Sequence, residues 1–246
     1  MLRRALAALC LAFLLVACGR GEGGEAAEGA TARLWVTRDR GAQVVLTATV
    51  PAGLTVMQAL QREADVETRY GGRFVEAIEG VEGSLDEQRD WFYFVNGIEP
   101  DVGAAEVRLG EGDVAWWDYR SWGEQMAQPV VVGAFPEPFL RGWGDERRPA
   151  VVSAPPAFAV QAQALRRVLG SGGSGEPNLF VLQVLKGAHG ATLRATRGEA
   201  NDAPVTFRLT GSLPAVRAAA ETLVSRPASI RFLYEARFDE QGRIVR

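Results

Sequence analysis

Two aromatic runs constrain this chain more than any other feature. They are Trp91-Phe92-Tyr93-Phe94-Val95-Asn96-Gly97 and Val114-Ala115-Trp116-Trp117-Asp118-Tyr119, with Trp122 just beyond, and they hold four of the six tryptophans. A strand sends successive side chains to opposite faces, yet here both faces carry rings: Trp91 and Tyr93 against Phe92 and Phe94, Trp116 against Trp117 and Tyr119. One face can fill a core. The other must lie under a second layer or offer a stacking surface. Phe92, Phe94 and Trp116 are assigned to the core and to an interface with the downstream half. Trp91, Tyr93, Trp117, Tyr119 and Trp122 are expected at a ligand surface, with Trp143 closing it from the second domain, since interdomain clefts commonly hold ligands. Stacking there suits a flat, amphipathic ligand, at about 1 kcal/mol per aromatic contact beyond area burial.

The N-terminus reads as an export address. Met1-Leu2-Arg3-Arg4 is a basic start, and Ala5 to Ala17 is an apolar run of thirteen residues, too short for a spanning helix. Leu15-Val16-Ala17-Cys18-Gly19 has the form of a bacterial lipobox, which makes Cys18 the expected lipid-bearing residue. The expected location is the extracytoplasmic face of the cell membrane, held by lipid. With Cys10 in the signal and Cys18 acylated, no thiol remains for a disulfide, a metal site or a nucleophile. Residues 18–30 are rich in Gly, Glu and Ala without a large apolar side chain. They suit a flexible tether, reaching on the order of 20 Å.

Charge excludes one partner class. The whole chain carries −3, and no basic stripe of the kind nucleic acid demands is present. Catalytic signatures are also missing: there is no G-x-S-x-G, H-E-x-x-H or Walker sequence. Gly170 to Gly175 satisfies G-x-G-x-x-G, but it follows an expected helix and precedes an expected strand, the wrong order for a dinucleotide site. His189 is the single histidine and cannot build a zinc site alone. The acids at Asp86, Glu87 and Asp90, at Glu79 and Glu82, and at Glu111 and Asp113 fall in polar turns; only Asp118 lies between aromatics. The expectation is a protein that is not an enzyme and needs no cofactor or metal.

The periodicity gives two α+β halves. Arg33 to Arg38 and Gln43 to Val50 alternate as a hairpin, and Thr55 with Gln58 makes a capping box for a helix over 56–64. Phe74 to Ile78 and the two aromatic runs are further strands, with Asn96-Gly97 turning the first run. Downstream, Val130 to Val132 and Val151-Val152 are expected strands, and Phe158 to Leu169 a helix. Leu179 to Leu185 and Val205 to Leu209 are strands, Pro214 opens a second helix, and Ile230 to Phe238 alternates as a last strand. That order, with a further strand near Leu193, predicts a ferredoxin-like split βαβ layer.

The motifs Leu54-Thr55-Val56-Met57-Gln58-Ala59-Leu60, Phe74-Val75-Glu76-Ala77-Ile78-Glu79-Gly80, the first aromatic run, Gly103-Ala104, and Gly112-Asp113 with the second run occur in a fixed order. Together they resemble the C-terminal domain of transcobalamin and intrinsic factor, in its bacterial DUF4430-type form related to β-grasp ligand-binding modules. The resemblance covers roughly residues 31 to 122. The expected organisation is a signal peptide over 1–17, a linker over 18–30, a β-grasp-like transcobalamin-C-type domain over 31–125 and a ferredoxin-like α+β domain over 126–246. The resemblance implies capture of a small ligand, a corrinoid such as cobalamin, for delivery to an uptake system of the energy-coupling-factor type. The rival is an interaction module whose aromatic face binds a protein partner or cell-wall glycan.

Overall fold

The computed structural model describes residues 29–245 apart from 124, 143–146, 199 and 201–202. The expected signal peptide, Cys18, most of the expected linker and Trp143 lie outside the described residues. The protein is mixed α+β. Among the described residues, no helix is long and apolar enough to cross a membrane.

The first half is built on the expected hairpin, β1 (Thr31–Arg38) and β2 (Gln43–Pro51). Helix α1 (Val56–Glu63) follows, and its capping box forms as the residues predict. Thr55 Oγ1 accepts from the Gln58 N–H at 3.1 Å, and Gln58 Oε1 accepts from the Thr55 N–H at 2.9 Å. Val56, Met57, Ala59 and Leu60 make its buried stripe. Strands β3 (Val66–Arg69), β4 (Phe74–Ile78) and β5 (Val81–Glu82) form a small antiparallel sheet. The aromatic runs become β6 (Arg89–Val95) and β7 (Val114–Ser121). β7 lies parallel to β1 and antiparallel to β6, which gives the order β2-β1-β7-β6. Asn96 and Gly97 turn the chain with φ of 51° and 80°, the left-handed pair that a two-residue hairpin loop requires.

The second half holds the short helix α2 (Glu137–Leu140), β8 (Ala150–Ser153), α3 (Ala159–Leu169), β9 (Asn178–Val184), β10 (Ala191–Arg197), β11 (Val205–Gly211), α4 (Leu213–Ser225), β12 (Ala236–Phe238) and β13 (Ile244–Val245). Its sheet order is β13-β12-β10-β11-β9-β8. This corrects the ferredoxin-like expectation. A split βαβ unit leaves a gap between the strands joined by its helix, whereas β8 and β9 are direct parallel neighbours across α3, with Val151 opposite Leu179.

One expected strand fails and another is shortened. Val130 makes one bridge to Ile98, and residues 132–134 then coil into a short 3-10 turn. Residues 227–230 form another such turn, Phe232 takes φ of 68°, and strand resumes only at Ala236.

Each half buries its own apolar cluster. A third cluster lies between them, where Trp35, Phe94 and Trp116 of the first sheet meet Val131, Ala134, Phe232 and Tyr234. The aromatic sheet is therefore covered on both sides: by α1 and the small sheet on one face, and by the second half on the other.

Candidate functional site

That double cover decides where the candidate rings go. Trp91, Trp117 and Tyr119 are 6%, 3% and 8% exposed, so the expectation that they stand open on the sheet is corrected. Strand β5 seals two of them: the Trp91 indole N–H donates to the Val81 carbonyl at 2.8 Å and the Tyr119 hydroxyl to the Glu82 carbonyl at 3.0 Å. Trp91 and Tyr119 touch with centroids 5.3 Å apart. Tyr93 and Trp122 are half-buried. Tyr93 stacks on Trp117 at 5.0 Å and 29°, and its hydroxyl donates to the Val102 carbonyl at 2.5 Å. Burial, aided by the charges of Glu106 and Asp101, pushes the Tyr93 phenol up, so it stays a donor at ordinary pH.

Three of the predicted residues nevertheless share one feature. A hollow of about 280 Å³ is floored by Trp91, Tyr93 and Trp117 and walled by Met57 of α1, Phe74 and Val75 of β4, and Val102, Gly103 and Ala104 of the loop before β7. Tyr119 and Trp122 do not line it. Phe92 also borders it, with the Arg120 guanidinium 3.7 Å from its ring centre. Phe74 and Val102 are 48% and 39% exposed and form the apolar lip.

The rim carries both signs of charge: Arg73, Asp90 and Glu99. Burial raises the affinity of Asp90 for its proton, opposed by the Trp91 N–H, which donates to the carboxylate at 2.8 Å, and by the charge of Arg69. Burial likewise raises Glu99, against the Gln128 N–H at 2.6 Å and Arg120. Asp90 is therefore not the freely solvated turn acid its surroundings in sequence imply. Arg73 is exposed and makes no ion pair among the described residues.

A larger groove, about 710 Å³, runs past Asn96, Glu106, Arg108, Asp113 and Arg141. Three of its polar side chains already serve the fold. Asn96 donates to Asp113 at 2.9 Å, Arg108 to the Gly53 carbonyl at 2.8 Å, and Arg141 to the Glu111 carbonyl. The smaller hollow has the profile of a ligand site: aromatic walls with a few polar groups at the edge.

No group of three or more His, Cys, Asp or Glu positioned to hold a metal occurs among the described residues. His189 is exposed in the turn before β10, away from the hollow, and Asp118 is fully buried on the opposite face of β7. Met57, Phe74 and Val102 were not legible as site residues. They come from a helix, a strand and a loop, and each taken alone reads as core or surface.

Among solved structures, one called "a putative metal binding protein" from Ruminococcus gnavus is 14% identical, covers 37% of this chain and 97% of its own, and has a TM-score of 0.31. Haptocorrin in complex with Cbi is 16% identical, covers 37% of this chain and 25% of its own, and has a TM-score of 0.29. No curated protein matches. Residues 53–121, which hold α1, β3 to β7 and all the residues that line the hollow, match the family model described as Domain of unknown function (DUF4430).

Proposed function

We propose that this protein is a membrane-anchored extracytoplasmic lipoprotein that captures a small ligand in the hollow beside β6 and presents it to an uptake system. One observation carries the reading: an aromatic-floored hollow of about 280 Å³ with charge confined to its rim. A β-grasp-like reading of the first half is supported by its hairpin, helix and parallel β1–β7 pair. Lipid on Cys18 would keep the site beside a transporter of the energy-coupling-factor type, raising local concentration without any new contact. No chemistry on the ligand is required.

The resemblance makes a corrinoid the first ligand to try. A whole corrin exceeds the hollow, so it would offer an edge or a side arm to Tyr93 and Trp117. The rival, glycan or protein binding on a flat aromatic face, gains nothing from Trp91, Trp117 and Tyr119, which are buried.

The test is tryptophan fluorescence of the full-length chain in detergent, titrated with cobalamin and cobinamide. Saturable quenching that Val102→Arg weakens at least tenfold is expected, because that side chain would fill the mouth. Absence of quenching by both corrinoids overturns the corrinoid assignment. Quenching unchanged by Val102→Arg overturns the hollow as the site.

A further inference from the structure

The hollow lies along the free edge of the aromatic sheet, and the backbone there is unpaired. Strand β6 pairs with β7 through its even-numbered residues: the Asn96 N–H donates to the Val114 carbonyl and the Trp122 N–H to the Gln88 carbonyl, both at 2.8 Å. In an antiparallel pair the alternate residues point their N–H and C=O groups the other way. Those are Arg89, Trp91, Tyr93 and Val95. The two outer ones are satisfied: Arg89 exchanges bonds of 2.9 and 2.8 Å with Ser84, and Val95 exchanges bonds of 2.8 and 2.9 Å with Ile98. The Trp91 N–H is taken by the Asp90 carboxylate. The Trp91 carbonyl and both backbone groups of Tyr93 have no partner among the described residues.

A short window of open strand edge thus faces an apolar hollow, closed at both ends by the fold itself. An extended chain laid on a sheet edge obtains its main-chain bonds from such groups and its selectivity from pockets for alternate side chains. The free groups at Trp91 and Tyr93 lie about 7 Å apart at the usual strand rise, so two or three residues fill the window. Phe74, Met57 and Val102 would enclose an apolar side chain. The rim holds Arg73 as well as Asp90, complementary to the two charged ends of a short unblocked peptide.

We infer that the hollow binds a short peptide in extended form, added as a further strand to β6 through Tyr93. This rests on the reading of the hollow as a ligand site and names the ligand's chemical class.

The experiment titrates the full-length chain in detergent with the tripeptide Ala-Leu-Ala, with its counterpart methylated on the leucine nitrogen, and with cobinamide. Amide hydrogen exchange at Tyr93 is followed in each case. The expected result is saturable binding of Ala-Leu-Ala, slowed Tyr93 exchange, and at least tenfold weaker binding of the methylated peptide. Equal binding of the two peptides overturns the inference, as does unchanged Tyr93 exchange. Cobinamide binding that Val102→Arg weakens, with no peptide response, overturns it while leaving the hollow as a ligand site. No response to any of the three probes removes both readings.

Discussion

Two aspartates on the aromatic strands show how one residue type serves two ends. Asp118 is fully buried and fully bonded: its carboxylate accepts from Thr37 Oγ1 at 2.6 Å, the Gly41 N–H at 3.1 Å and the Tyr234 hydroxyl at 2.8 Å. Asp90 sits at the hollow, where its carboxylate accepts from its neighbour's N–H, and burial raises its proton affinity. The sign follows from linkage. A carboxyl whose folded value lies above its ordinary 3.8 binds its proton more tightly when folded. Its contribution to stability is present below that ordinary value and is lost as pH rises through the folded one. Asp90→Asn keeps an oxygen for the Trp91 N–H but cannot ionise. The variant's urea midpoint should therefore rise relative to the parent over the range from that ordinary value up to the raised folded one, then level off. A difference that stays constant across that range would show that Asp90 ionises as freely folded as unfolded.

At the scale of the element, β7 joins the two layers by simple alternation. Trp117 and Tyr119 face α1 and the small sheet, while Trp116, Asp118 and Arg120 face the second half. Arg120 closes the strand with its side chain fully buried, over the Phe92 ring. Its guanidinium donates to the carbonyls of Met126 at 2.6 Å, Gln125 at 2.9 Å and Ser121 at 3.3 Å, and reaches Glu99 at 3.4 Å. A planar fork serves four acceptors that a compact ammonium cannot reach together. Arg120→Lys should thus cost about 2 to 4 kcal/mol in urea unfolding, with faster amide exchange at Gln128; full stability with lysine would mean the fork is dispensable.

Elements fixed by neighbours in sequence were legible: the Thr55–Gln58 capping box and the Asn96-Gly97 turn both stand where the residues place them. Elements fixed by distant partners were not. The alternation from Ile230 to Phe238 is real, but Phe232 and Tyr234 use it to reach Trp35 and Trp116 across the interface instead of joining a ladder. Two-faced aromatic runs announce a covering layer on each side. Which rings border a hollow depends on Met57, Phe74 and Val102, brought together only by the fold.

The whole molecule is joined by that interface. Trp116 has ring contacts with Trp35, Phe94, Phe232 and Tyr234 at centroid distances of 6.2, 5.5, 6.1 and 5.6 Å. Its indole N–H donates to Thr37 Oγ1 at 2.7 Å, Thr37 donates to Asp118, and Tyr234 completes the chain from the other half. Burial and the adjacent Asp118 charge hold the Tyr234 phenol protonated, so this donor persists at any ordinary pH. Each half has its own apolar cluster, so whether they melt together depends on the contacts between them, the aromatic seam foremost. Calorimetry of the full chain should show one cooperative transition. Trp116→Ala removes the ring common to those four contacts, at a cost of about 3 to 5 kcal/mol, and should split the melt into two transitions. Tyr234→Phe keeps the ring and removes one bond to a carboxylate, about 1.5 to 3 kcal/mol, and should lower the melting temperature while leaving a single transition. Two transitions already present in the parent chain would show that the halves fold independently and that the aromatic seam does not couple them.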